Sequence, residues 1–80
     1  MTQTLGQRLR ELRKARHLTL AEVGAAAVLS TSYVNDIEHG RATPSLDTLV
    51  RMATALDLSA VDILHGIKPY DRDTADYALT

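Results

Sequence analysis

Thr31, Ser32, Asn35, Asp36 and His39 lie between Ser30 and Gly40, in the run STSYVNDIEHG. On a helix turning by about 100° per residue they share one sector, and Tyr33, Val34 and Ile37 share the opposite one. All five polar side chains are compact or hydrogen-bonding. None has the long Glu or Lys stem of a merely solvated face. They offer donors and acceptors at short reach and regular pitch, which is the chemistry of directional hydrogen bonding. An apolar stripe on one side and short polar groups on the other is what reading base edges in a DNA major groove requires.

Bond-making chemistry finds no comparable arrangement. Ser, His and Asp occur, but no Gly-x-Ser-x-Gly, paired-carboxylate or phosphate-loop pattern does, so neither enzymatic activity nor a cofactor is expected. His17, His39 and His65 show no metal-ligand spacing, and no metal is expected. The sequence has no Cys, which rules out disulfides and thiolate metal sites and fits a reducing, cytoplasmic setting. No apolar run approaches the roughly 20 residues of a membrane span, and the start lacks a signal-peptide pattern.

A polar face of this kind needs a scaffold, and 80 residues suffice for one domain. Its 45% hydrophobic residues are nearly all Leu, Ala, Val and Ile, with three Tyr and no Phe or Trp, a mixture suited to a small helical bundle. The formal net charge is −1. Residues 1–56 carry seven Lys or Arg and five acids, net +2; residues 57–80 carry two and five, net −3. An acidic end thus masks a mildly basic module, whose phosphate contacts are expected to lean on amides and hydroxyls as well as charge.

Thr4 and Gln7 have capping-box spacing and predict a helix from about Leu5 to Arg16, with Leu5, Leu9 and Leu12 as its buried seam and Ala15 nearby. RLRELRKAR reads first as a solvated face. Thr19 and Glu22 repeat the box, predicting a second helix to about Val28 with Leu20, Val23, Ala27 and Val28 as its stripe. Gly24 costs that helix about 1 kcal/mol against Ala, offset by close approach of the third helix. Leu29 anchors the turn and Ser30 caps the third helix, which Gly40 ends. Ser45 caps a fourth, with Leu46, Leu49, Val50, Ala53 and Leu56 inward. Ser59 and Asp62 open a fifth, with Val61, Ile63 and Leu64 apolar and Gly66 as terminator. The expectation is an all-α, compact five-helix bundle over residues 1–66. Residues 67–80 read as an acidic tail or linker; the alternative is that Ile67, Tyr70, Tyr77 and Leu79 dock on a protein partner.

With these residues laid out, the chain resembles the Cro/C1 (XRE-type) helix-turn-helix family. The matching elements are LGQRLRELRKAR, LT-x-AEV, LSTSYVNDIEHG and TPSLDTLVRMATALDLSAVDIL. The resemblance covers residues 5 to about 65 and implies a lambda-repressor-like bundle. It implies base-reading roles for Thr31 and Ser32, with Asn35 and Asp36 further along the face, His39 near its backbone end, and Ser30 at its start. Arg41 matches a loop position that meets phosphate, and Arg13 and Glu38 match a partly buried ion pair. Leu20 departs from the Gln found in many relatives, which leaves the second helix its N-terminal amides around Thr19 for DNA. At Asp36, three readings stay open: cytosine recognition, a negative filter, and an intramolecular pair with a nearby Arg. The segments TLAEV and TSYVNDIEHGRATPSLDTL and the tail are similar to family members that repress DNA-damage genes. That implies a homodimer on a palindromic double-stranded operator. Some members instead act as antitoxins or anti-repressors that capture a protein through the last helix and tail.

Overall fold

Every helix begins at a hydroxyl. In the computed structural model, which describes residues 3–65, Thr4, Thr19, Ser30, Ser45 and Ser59 sit in extended backbone conformation, and each accepts a hydrogen bond from the amide three residues on. They open α1 (Leu5–Ala15), α2 (Leu20–Ala27), α3 (Thr31–Glu38), α4 (Leu46–Ala55) and α5 (Ala60–Leu64). At Thr4, Thr19 and Ser59 the box is reciprocal, with Gln7, Glu22 and Asp62 returning a bond to the cap amide at 2.9, 2.8 and 3.0 Å. Two of the donors that a helix start leaves unpaired are thereby satisfied in each case.

Four helices end in the same way, and only one uses glycine. After α1, α2, α3 and α4 the chain passes through a left-handed residue: His17 (φ 58°), Val28 (φ 59°), Gly40 (φ 76°) and Asp57 (φ 59°). In each case the next amide reaches back to the helical carbonyl five residues earlier: Leu18 to Arg13, Leu29 to Gly24, Arg41 to Asp36 and Leu58 to Ala53, at 2.7–3.2 Å. These are Schellman turns.

The core is aliphatic. Leu9 from α1, Val23 and Ala27 from α2, Val34 and Ile37 from α3, Leu49, Met52, Ala53 and Leu56 from α4 and its cap, and Ile63 from α5 are all buried. Leu5, Leu12, Leu18, Leu20, Leu29 and Tyr33 pack around them. The helix α3 rests on α1 and α2, while α4 joins α2 to α5 and α5 returns to α1. Helix α3 therefore has a floor made by two different helices.

Burial differs from the sequence expectation at five places. Val28, Leu46, Val50 and Val61 are 77%, 73%, 45% and 75% exposed, and Ala15 is exposed too. In α4 the buried sector centres on Leu49, Met52, Ala53 and Leu56, so Leu46 and Val50 fall on its flank. Val28 is turned out by its left-handed backbone. The close approach expected at Gly24 from α3 is made instead by the turn before it: a Cβ there would stand 2.7 Å from the Leu29 carbonyl oxygen, with the Thr31 nitrogen at the start of α3 at 3.5 Å. Gly66 lies outside the described residues.

Candidate nucleic-acid interface

Helix α3 is held from behind by Val34 and Ile37, which are 0% and 2% exposed, with Tyr33 half-buried beside them. The Ser30 hydroxyl oxygen accepts from the Tyr33 amide at 3.1 Å and fixes the first turn. Facing outward, Thr31 and Ser32 are exposed, Asn35 and Asp36 are half-buried along the flank, and His39 is exposed at the far end. Nδ1 of His39 lies 2.8 Å from the Asn35 carbonyl oxygen. That contact needs the Nδ1 proton, so the neutral ring presents Nε2 outward as an acceptor.

Two ion pairs frame this face. Arg13 and Glu38 meet side-on, Nε to Oε2 at 2.7 Å and Nη2 to Oε1 at 3.0 Å, with only 12% and 2% of the side chains exposed. The remaining Arg13 nitrogen, Nη1, donates to the Leu18 carbonyl at 2.9 Å. One guanidinium thus joins α1, the α1–α2 connector and the last turn of α3. The bidentate geometry satisfies a carboxylate that burial would otherwise make costly. Gly6 adds to this contact: a Cβ on it would lie 2.5 Å from the Ile37 carbonyl oxygen and 2.6 Å from that of Glu38.

The second pair is at the surface. Arg41 Nε donates to Asp36 Oδ1 at 3.0 Å, with side chains 56% and 44% exposed. Of the three readings of Asp36, the intramolecular pair is the one the structure contains. Solvent screening keeps such a pair within about 0–1 kcal/mol of stability, so its interest is geometric.

Thr19 spends its own polar groups on capping α2. Its amide is taken by Glu22 Oε1 at 2.8 Å, and its hydroxyl oxygen accepts from the Glu22 amide at 3.0 Å. The amides left at the start of α2 are those of Leu20 and Ala21, beside the Glu22 carboxylate.

Sequence reasoning passed over two arginine roles. Arg51 on α4 donates from Nε to the Ala27 carbonyl at 2.9 Å and from Nη2 to that of Val28 at 2.7 Å, closing the C-terminal end of α2. Arg8 donates to the Asp62 and Ile63 carbonyls at 3.2 and 3.4 Å and so covers the end of α5. The Ser59 amide, donating to the Asp62 carboxylate, holds its pKa below the ordinary value, helped by the Ser59 hydroxyl. Arg8 and Arg51 have no local sequence mark, because their acceptors lie 54 and 55 residues away for Arg8 and 23 and 24 for Arg51. With Arg8, Arg13, Arg41 and Arg51 engaged, the exposed basic side chains left in residues 1–56 are Arg10, Lys14 and Arg16.

A hydroxyl-capped bundle with a tight α2–α3 turn and an outward polar face on α3 defines a helix-turn-helix domain. The helix-turn-helix family model matches residues 4–65, and the chain belongs to that family, in its XRE (Cro/C1) branch. This is a family of transcription regulators rather than enzymes. The chain is similar to the HTH-type transcriptional regulator DdrOP3 of Deinococcus deserti, 42% identical over 71 residues, covering 89% of this chain and 55% of the relative. It is also similar to the immunity repressor protein of Bacillus phage phi105, 39% identical over 74 residues, covering 92% of this chain and 51% of that one. Among solved structures, the P22 c2 repressor in complex with a synthetic operator superposes with a TM-score of 0.74 at 28% identity, over 81% of this chain and 98% of that one. The five-helix, lambda-repressor-like architecture is shared with it. The chain spans about half the length of the curated relatives named.

Proposed function

We propose that this chain is the DNA-binding part of a transcriptional repressor that sets α3 into the major groove of an operator half-site. The observation that carries this reading is the division of α3: Val34 and Ile37 are sealed in the core while Thr31 and Ser32 stand exposed, with Asn35 and Asp36 on the flank. Thr31, Ser32, Asn35 and Asp36 read base edges; Ser30, His39, Arg41 and the start of α2 at Thr19 meet the backbone. Support comes from the P22 c2 repressor, crystallised with operator DNA on the same fold. Two copies acting on a palindrome place their α3 helices about 34 Å apart, in successive major grooves. Similarity to DdrOP3, with the resemblance to repressors of DNA-damage genes, supports a role in the DNA-damage response. Residues 1–66 form the reading domain, and 67–80 serve as an acidic tail or linker. No helix of the described residues is long and apolar enough to cross a membrane, and action on an operator places the chain in the cytoplasm.

The test is selection of preferred sites from random DNA at two salt concentrations. A palindromic motif is the expected result. Thr31→Ala and Asn35→Ala each relax preference at single positions, whereas Arg41→Ala weakens all sequences alike. Failure of any sequence to outcompete bulk DNA, or equal sequence-blind losses from all three variants, would overturn the proposal.

A further inference from the structure

Asp36 is an odd residue to find on a surface that approaches phosphates. A bare carboxylate there repels the backbone of any duplex, whatever its sequence. The structure gives it a companion built in by the chain path. The Asp36 carbonyl oxygen accepts from the amides of Arg41 (2.8 Å) and Ala42 (3.3 Å), and the left-handed Gly40 turns the chain back along α3. Arg41 is thereby returned to the residue one turn earlier, where its Nε donates to Asp36 Oδ1 at 3.0 Å. That bond uses one carboxylate oxygen and one guanidinium nitrogen. Among the described residues, Oδ2 and the terminal Arg41 nitrogens make no other hydrogen bond.

We infer that Asp36 and Arg41 act as a charge-neutral recognition unit in which Asp36 Oδ2 selects cytosine at one position of each half-site. The inference rests on the groove-reading role proposed above for α3. With Oδ1 held by Arg41, the free oxygen can only accept. In the major groove, guanine offers N7 and O6 and thymine offers O4, all acceptors that repel it. Adenine offers an N6 donor, but its N7 acceptor stands beside it. Cytosine offers the N4 amino group with no acceptor of its own on that edge, and is the base whose face matches a lone carboxylate oxygen. Arg41 has one task here: its guanidinium offsets the net negative charge that would otherwise weaken binding everywhere. Its terminal nitrogens remain for the neighbouring phosphate.

Site selection from random DNA with the 80-residue chain and three variants tests this, with thermal melting as the check on folding. Wild type is expected to require cytosine at one half-site position. Asp36→Ala should lose about tenfold in preference for cytosine there, leaving the other positions unchanged. Asp36→Asn should move the preference toward adenine, because an amide pairs with N6 and N7 together. Arg41→Ala should lower affinity for every site while still preferring cytosine, and adding Asp36→Ala should recover part of that loss. Base preferences unchanged in Asp36→Ala would overturn the inference and leave the pair a simple latch. So would loss of the cytosine preference in Arg41→Ala. A wild-type chain that selects no motif at all fails the broader proposal instead, so the two failures are distinguishable.

Discussion

Val28 carries a β-branched side chain at φ 59°, and that side chain is 77% exposed. The left-handed conformation costs an L-residue about 1–2 kcal/mol, most for branched side chains, and glycine gives back part of the gain through its freer unfolded state. Val28→Gly is therefore expected to stabilise the fold by about 1 kcal/mol, read as a higher urea midpoint at unchanged slope. His17 and Asp57 hold the same conformation with side-chain types that tolerate it better, and gain less from the same change. The Arg13–Glu38 pair predicts the opposite sign. Arg13→Ala or Glu38→Ala leaves a buried charge unpaired and should cost about 3–5 kcal/mol, with the double variant losing far less than the two singles together. That pair follows from the family pattern in the sequence. Val28 does not, since in a periodic reading Val28 extends the stripe of Ala27, and only the backbone turn separates them. Arg51 was equally hidden, because its acceptors belong to another helix.

At the scale of helices, starts were legible and burial less so. A capping hydroxyl, backed at three of the five starts by Gln, Glu or Asp three residues on, is a local event decided within one turn, and all five starts fall where the sequence puts them. Which sector of a helix is buried depends on where its neighbours lie. In α4 the choice between Leu46 and Met52 is made by α2 and α5, so periodicity alone drew the wrong flank inward. The caps also carry a pH signature. Because the Ser59 amide depresses the Asp62 pKa, the ionised carboxylate stabilises the folded state above its ordinary titration range. That contribution fades as pH falls through the depressed folded value. The difference in melting temperature between wild type and Asp62→Asn should be steady near neutral pH and shrink below about pH 4. Close packing makes a further prediction. Gly6→Ala presses a Cβ against two backbone carbonyls, which cannot swing aside as a side chain would. It should destabilise by about 1–3 kcal/mol and lower affinity for DNA through displacement of the end of α3, measured by melting and by titration with the selected site.

Across the whole molecule, charge is committed before DNA arrives. Four of the seven basic residues in 1–56 serve helix ends or ion pairs, and the acidic surplus of 57–80 remains. The salt dependence of binding should accordingly be shallow, with about two to four counterions released per half-site on the usual slope of roughly −0.9 per neutralised phosphate. Titrations across a salt series check this, and a slope as steep as that of a strongly basic repressor would show that Arg8 or Arg51 leaves its carbonyls to meet DNA.

The guanidinium of Arg13, fastened at once to α3, to Leu18 and to its own helix, leaves the protein little room to tilt α3. On the proposed mode of action, in which two copies share one operator, any mismatch in the spacing or pitch of two such rigid heads has to be absorbed by the nucleic acid. Base steps between the half-sites, touched by no side chain, would then be chosen for how readily they twist or bend.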